Sequence, residues 1–464
     1  MRIIKLVTDP FEFISLLEVK CTKELNRHAE ILITGLIRNE NGDRYLKKAL
    51  METWIDIKGA SEDGEERQIF SGILTGFKIK QEGETKILTI EAKTGSFLLD
   101  IKPHIRSFQE PSLLYSDVVR ACVESVNGKF IMLDKEKEQI RQFLLQYNET
   151  DWCFLNRLAT YAGTVLIPEY NTKGKKFYFG YRLGPTEEIV DCDKYEIEQD
   201  YGRCENRKAE QISNFSMLDA IKYKIYTREI YDLGRTVKFK GREFIIKKIN
   251  SYLVGHELYN EYQLSTKIGG VYPPIYNQGL TGVSLKAYVT NVEKTNVMIE
   301  IQEDENKENC GRRWFEYATV YSTPDGTGWY CMPEIGDEVR LMIPRREEAC
   351  AYVESSIHMG ENGGRIKPEN KSWKNKQNKE ILMTPDSIVL QNNKGLKVEL
   401  LDTKGIKLTS NKDIIIESTG EVLVKSKKSG IEILAKDEII MRQKECRIRM
   451  NDVVDISGGK IYMN

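Results

Sequence analysis

The chain has 464 residues, more than one hydrophobic core normally supports, so several domains are expected. Its 69 Lys and Arg nearly balance 70 Asp and Glu, and the formal charge of −1 offers no net attraction to nucleic acid or an anionic membrane. Nine scattered cysteines without a Cys-x-x-Cys pair favour reduced thiols made in a cytoplasm, and neither a signal peptide nor a run of about 18 apolar residues is visible.

The first two thirds of the chain predict several β-rich domains in succession. Alternating apolar residues predict a β-barrel domain over residues 1–110. Helical spacing in SLLYSDVVRACVESV and TDWCFLNRLATYAG predicts two helices within residues 111–163. Strand patterns return over residues 164–270, which predicts a second β-barrel domain. The segment IGGVYPPIYNQGLTG then marks a joint before residues 283–359, whose short strands favour a small barrel of the OB type. Residues 360–385 are polar and are predicted to be a linker.

The tail, residues 386–464, repeats one short strand and one turn about every eight residues. Each strand carries two apolar residues on one face, and a stripe this narrow cannot enclose a core within one chain. We therefore expect three chains to wind about one axis as an intertwined β-prism, or β-helix, with each strand hydrogen-bonded to neighbouring chains. The predicted core residues of this trimer are Leu396, Val398, Ile406, Leu408, Ile414, Ile416, Val422, Val424, Ile431, Ile433, Ile439 and Met441.

An ordinary two-layer β-domain is the alternative for the tail. The prism model requires polar residues in the outward phase of each strand, and most are polar. Four apolar residues also occupy that phase, and the regular prism does not explain them: Val389, Ile415, Leu423 and Ile440.

Two segments resemble a known protein family. QYNETDWCFLNRLATYAGTVLIPE, residues 146–169, resembles the helix-opening motif of VgrG and phage tail hub proteins. GWYCMPEIGDEVRLMIP, residues 328–344, resembles the pattern of the same family's OB-like barrel. The order of segments also matches across most of the chain. The resemblance implies a mainly β fold with a few helices, in which hub β-barrels and an OB-like barrel precede a C-terminal trimeric prism.

The same resemblance implies the structural spike of a contractile injection system. Such a homotrimer would be made in the bacterial cytoplasm, assembled into an injection particle, and delivered outside the cell or into a target. It would join the inner tube hexamer and baseplate proteins to a PAAR or PAAR-like tip protein, carry effector cargo, and puncture the target envelope. The type of contractile system stays open. The tip protein would contact Ile461, Tyr462, Met463 and Asn464.

No catalytic, cofactor-binding or metal-binding motif is recognisable, so we expect a protein that is not an enzyme and has no cofactor, metal or nucleic-acid partner. The sequence contains no phosphate-binding loop and no serine-hydrolase elbow. The acidic run at residues 303–305 is interpreted as a solvated loop rather than a glycosidase pair. The histidines are too widely spaced for a short metal motif and are interpreted as surface or packing residues: His28, His104, His256 and His358.

Two other functions remain as alternatives. The first is a β-helical receptor-binding adhesin or tail fibre that recognises surface glycans. Such a protein needs clustered exposed aromatic residues along the repeat, but the repeat contains only Tyr462. The second is a β-helical polysaccharide lyase, which needs a cleft with acidic and basic catalytic groups.

Overall fold

The computed structural model describes residues 3–182, 184–189, 192, 194–199, 202, 215–358, 367–460 and 462. The described elements are mainly β-strands, as predicted, and the chain divides into two compact units between Met359 and Gly360. The helices of the first unit are α1 (Gly42–Ala49), α2 (Tyr115–Glu124), α3 (Asp151–Tyr161) and α4 (Lys267–Gly270).

One large sheet in the first unit contains strands from two regions that were predicted to form separate barrels. Strand β2 pairs antiparallel with β16, and both regions contribute to one hydrophobic core. The strands of this sheet are β1 (Lys5–Asp9), β2 (Ser15–Glu24), β3 (Glu30–Ile37), β4 (Trp54–Ala60), β5 (Glu66–Glu82), β6 (Thr85–Lys93), β12 (Glu187–Glu188), β13 (Lys194–Gln199), β14 (Ile221–Thr227), β15 (Thr236–Phe239), β16 (Arg242–Val254) and β17 (Glu257–Ser265).

Helices α2 and α3 both lie within residues 111–163, between the two β-rich regions. The Thr150 hydroxyl caps α3 by accepting a hydrogen bond from the Cys153 N–H at 3.2 Å, and Gly163 follows the helix with φ +66°. The apolar face of α3 packs against α2 in a second core. Five short strands accompany these helices: β7 (Pro103–Phe108), β8 (Lys129–Met132), β9 (Leu144–Thr150), β10 (Leu166–Pro168) and β11 (Lys176–Phe179).

A closed five-stranded barrel completes the first unit, as the resemblance implied. Its order is β18-β19-β20-β22-β21, and β20 and β22 run parallel. Alternating side chains such as Leu285, Val289 and Leu341 fill its interior. Its strands are β18 (Val283–Glu293), β19 (Asn296–Ile301), β20 (Phe315–Ala318), β21 (Glu338–Ile343) and β22 (Tyr352–Ser356).

The second unit contains two antiparallel sheets. The predicted linker is wrong in its second half, because β23 and β24 lie within it, and residues 359–366 lie outside the described part of the chain. The five-stranded sheet consists of β23 (Lys371–Lys374), β24 (Glu380–Thr384), β25 (Ser387–Gln391), β26 (Lys397–Leu401) and β27 (Gly405–Thr409). The three-stranded sheet consists of β28 (Ile439–Gln443), β29 (Cys446–Met450) and β30 (Val454–Ser457).

Arg157 on α3 connects the helical region to the barrel through a buried ionic network. Its side chain is only 2% exposed. The guanidinium donates from Nε and Nη2 to the Glu149 carboxylate at 3.0 and 2.7 Å, and from Nη1 to Glu348 of the barrel. Burial would lower the pKa of Arg157, but the two carboxylates outweigh that effect and raise it. We call this network, together with the contacts of β7 described next, the barrel junction.

Strand β7 makes the second part of the barrel junction. The Ser107 N–H donates to Asp304 Oδ1 at 3.0 Å, and His104 Nδ1 lies 2.6 Å from Glu305 Oε2. Asp304 is buried whereas Glu303 and Glu305 are exposed, so the interpretation of residues 303–305 as a solvated loop is wrong for Asp304 alone. The contacts that bury Asp304 come from residues almost 200 positions earlier in the chain, which is why the local polar sequence concealed them.

We predict that Arg157→Met lowers the free energy of unfolding by about 3–5 kcal/mol, because two carboxylates lose their buried counter-charge. The measurement is the denaturant midpoint of the first unit in the full chain. Arg120→Met is the matched control, since Arg120 is an exposed helical arginine paired with Asp117, and its loss should cost less than about 1 kcal/mol. Equal effects of the two substitutions would contradict a structural role for the barrel junction.

The barrel junction should also weaken in acid. Burial alone would raise the pKa of Glu305, but the hydrogen bond and charge of His104 hold it below its usual value. Its stabilising contribution is therefore present above the ordinary carboxyl pKa of about 4.3 and is lost as pH falls through the lower folded pKa. Glu305→Gln should destabilise the chain by less than about 1 kcal/mol at pH 7, because Glu305 is partly exposed. In denaturant titrations, the difference in unfolding free energy between the native chain and Glu305→Gln should be smaller at pH 3 than at pH 7. An equal difference at both pH values would contradict a stabilising contribution from the Glu305 carboxylate.

Candidate assembly surface of the second unit

One face of the five-stranded sheet is a continuous apolar surface. Strands β24 to β27 each place two apolar residues on this face at alternate positions, and the register aligns them from strand to strand. All of these side chains are exposed in the single chain. One row contains Ile381, Leu390, Val398 and Leu408, and the second contains Met383, Ile388, Leu400 and Ile406.

The opposite face of the same sheet accounts for Val389, one of the four apolar residues that the regular prism does not explain. Val389 is only 6% exposed and lies directly between Leu382 and Glu399 on the neighbouring strands. Glu399 forms an ion pair with Lys397 at 2.6 Å, and long charged side chains of this kind cover apolar neighbours with their methylene stems. The remaining three outward residues, at positions 415, 423 and 440, are exposed.

Residues 412–438 lie between the two sheets in sequence and contain the most exposed part of the repeat. Among the described residues, no backbone-to-backbone hydrogen bond involves this segment. Its apolar pairs are exposed as well, and Ile416 is 75% exposed. The segment therefore has both an apolar stripe and a row of N–H and C=O groups with no backbone partner in its own chain, although a few of them bond to nearby serine hydroxyls.

The second unit has almost no core of its own. Within residues 367–460, Val389 is the one large apolar side chain that is buried, and none of the hydrophobic cores includes a residue of this unit. An ordinary two-layer domain of this length would bury many such residues. The observed exposure therefore disfavours the two-layer alternative.

The predicted prism residues are only partly brought together within one chain. Val398, Ile406 and Leu408 share the apolar face, and Ile439 and Met441 lie in β28. Leu396 lies before β26 begins. Leu400 occupies the position in the apolar rows that was predicted for Leu396. The prediction that every strand pairs with other chains is wrong for both sheets, where consecutive strands of one chain pair. The other predicted residues lie in the unpaired segment: Ile414, Ile416, Val422, Val424, Ile431 and Ile433.

The predicted tip contact is described at one residue only. Tyr462 is 81% exposed, whereas Ile461, Met463 and Asn464 lie outside the described residues. Across the part of the chain that the structure describes, no group of three or more His, Cys, Asp or Glu side chains is arranged to hold a metal ion. Of the described helices, none combines the length and apolar character needed to cross a membrane.

Comparison with known proteins identifies the fold through structure rather than through sequence. No family model and no curated protein matches the chain. The E. coli c3393 protein, a type VI secretion component with structural similarity to the T4 phage tail proteins gp27 and gp5, aligns with a TM-score of 0.52 at 12% identity. That alignment covers 76% of this chain and 100% of the other.

A second set of structures contains VgrG. The half-lidded Francisella PdpA-VgrG complex includes a chain that aligns with a TM-score of 0.56 at 9% identity, covering 88% of each chain. The lidless PdpA-VgrG complex gives a TM-score of 0.54 at 9% identity, covering 85% of this chain and 93% of that one. At these identities the comparisons establish a shared architecture. The chain has the fold of VgrG and gp27/gp5-like proteins of type VI secretion systems and phage tails, as its sequence resemblance implied.

Proposed function

We propose that the chain is the structural hub and spike of a contractile injection system and works as a homotrimer without catalysis. The observation that carries the proposal is the second unit, which has an exposed apolar face and an unpaired extended segment but almost no core. The fold shared with VgrG-containing and gp27/gp5-like structures supports the same function.

Three copies around one axis would satisfy both requirements of the second unit. The apolar faces of three five-stranded sheets would enclose a shared core, and burial of each Ile, Leu or Val stabilises by about 1.5–3 kcal/mol. Residues 412–438 would then form strands with the neighbouring chains, which supplies the missing backbone hydrogen bonds. Ten stacked strands at a spacing of ~4.7 Å would make a rod of about 47 Å.

The proposed mechanism is mechanical. Contraction elsewhere in the particle supplies the force, the first unit joins the inner tube and baseplate, and the rod concentrates the force on the target envelope. The buried barrel junction supports this function, because it ties the barrel to α3 and β7 of the same unit. The end near Tyr462 would carry a PAAR or PAAR-like tip protein, and effector cargo would travel with the spike into the target.

We predict that Ile416→Asp prevents a stable trimer, whereas Ile415→Asp leaves it intact. The two residues are adjacent and chemically identical, but only Ile416 would face the prism axis, where three carboxylates would be buried together. Mass measurement of the full chain in solution should give three times the chain mass for the wild type and the control. A native chain that is monomeric, or two variants that behave alike, would overturn the trimeric prism.

Electron microscopy tests the function itself. Injection particles purified from the producing bacterium should contain the chain at one end, beneath a rod with threefold symmetry. The purified chain alone should show the same symmetry and a rod of about 47 Å. Particles that lack the chain, or that contain it along the sheath or in fibres, would contradict a hub-and-spike function.

A further inference from the structure

A groove of about 410 Å³ lies on the five-stranded barrel and has no part in the proposed function. Its volume falls in the range typical of small-ligand pockets. Tyr317 and Ala318 of β20 form one side, and residues 354–356 of β22 form another. The loop that follows β20 supplies the rest of the described lining, which is Thr319, Val320, Trp329 and Cys331.

A backbone hairpin holds Trp329 at the groove. The Trp329 N–H donates to the Tyr321 carbonyl at 2.8 Å, and the Thr319 hydroxyl donates to the Trp329 carbonyl at 3.0 Å. Gly328 has φ +136°, and a Cβ at this position would lie only 2.4 Å from the Tyr321 carbonyl oxygen. The indole is nevertheless 54% exposed. A large aromatic side chain is therefore fixed at its backbone and accessible from solvent, which lowers the entropic cost of binding.

The other side of the groove contains a β-bulge. The pairing of β21 with β22 steps from Val339–Ser356 to Arg340–Glu354, so Ser355 is the extra residue, and its φ is +50°. Bulges redirect side chains, and residues in strained backbone conformations concentrate at ligand sites. The bulge thus lies at the groove that Trp329 borders, and Glu354, Ser355 and Ser356 all contribute to its lining.

The charge of the groove distinguishes between the two polymers that OB barrels commonly bind, oligonucleotides and oligosaccharides. Among the residues that the structure describes, Glu354 is the only charged one in the groove lining, and no described lysine or arginine lines it. A polyanion is therefore disfavoured, because nucleic-acid affinity depends on cations that neutralise phosphates. A neutral sugar fits better. Its C–H face can pack on the Trp329 ring, while its hydroxyl groups can hydrogen-bond to Glu354, Ser355 and Ser356.

We propose that this barrel groove binds a neutral oligosaccharide. The groove includes β20, the third barrel strand, which belongs to the usual ligand face of OB barrels. Its other parts, β22 and the loop between β20 and β21, lie outside that usual face. The groove thus has an exposed aromatic residue, Trp329, of the kind that glycan recognition needs. Such a site would hold the protein briefly against envelope polysaccharide, and it is independent of the trimeric prism.

The test is calorimetric titration of the full chain with chitotriose, maltotriose and cellotriose. We expect at least one of them to bind with a Kd of about 0.1–1 mM, which is the strength expected of a small exposed site. Trp329→Ala should weaken binding by about tenfold or more, and Trp329→Phe should retain most of it. Trp373→Ala is the matched control, because Trp373 is similarly exposed but belongs to β23 of the second unit and does not line the groove.

A second variant separates binding from folding. Ser355→Gly removes one hydroxyl but accepts the positive φ without strain, so it should weaken binding while the denaturant midpoint is unchanged or higher. Absence of binding by all three sugars at about 10 mM, a hundredfold above the lower expected Kd, would overturn the proposal. Binding that survives Trp329→Ala would also overturn it. Tighter binding of a single-stranded oligonucleotide than of any sugar would assign the groove to nucleic acid instead. If no sugar binds and Trp329→Ala abolishes the trimer, the groove is a contact between chains.

Discussion

A β-strand with two apolar side chains on one face can be stable only if something else covers that face and pairs with its backbone. In the second unit the apolar rows of β24 to β27 are exposed although these strands pair with one another, and residues 412–438 have neither cover for their apolar pairs nor backbone pairing within the chain. Proteins rarely leave so much apolar surface open to water. The first unit has the opposite property, with a large sheet, helices and a barrel that each bury a core. The proposed trimer follows from this contrast.

Local signals predicted much of the fold. Helix α3 has a capping threonine, a buried apolar face and a terminating glycine, all visible in the sequence. Helix α1 was missed, because among the residues of that short segment only Gly42 and Tyr45 are buried. The strands at residues 371–384 were missed for a similar reason, since charged residues conceal their alternation.

Long-range contacts were beyond local sequence reasoning. The pairing of β2 with β16 joins segments more than 200 positions apart, and Asp304 is buried by an equally distant strand. The sequence predicted an apolar assembly surface in the second unit, but it did not predict correctly which residues lie in its rows. Leu400 rather than Leu396 lies in the apolar rows, because pairing with β25 and β27 decides which residues share a face. The groove on the barrel was missed entirely, since the bulge at Ser355 is a property of the paired strands.

The burial of Arg157 has a consequence for where the protein can work. Surface ion pairs weaken as dissolved salt rises, because mobile ions screen charges over a Debye length of about 8 Å at physiological strength. Arg157 and Glu348 are both nearly inaccessible to water, so screening reaches them far less. The proposed injection particle would meet different ionic strengths inside and outside the cell that makes it. The connection between α3 and the barrel would keep its strength across all of them.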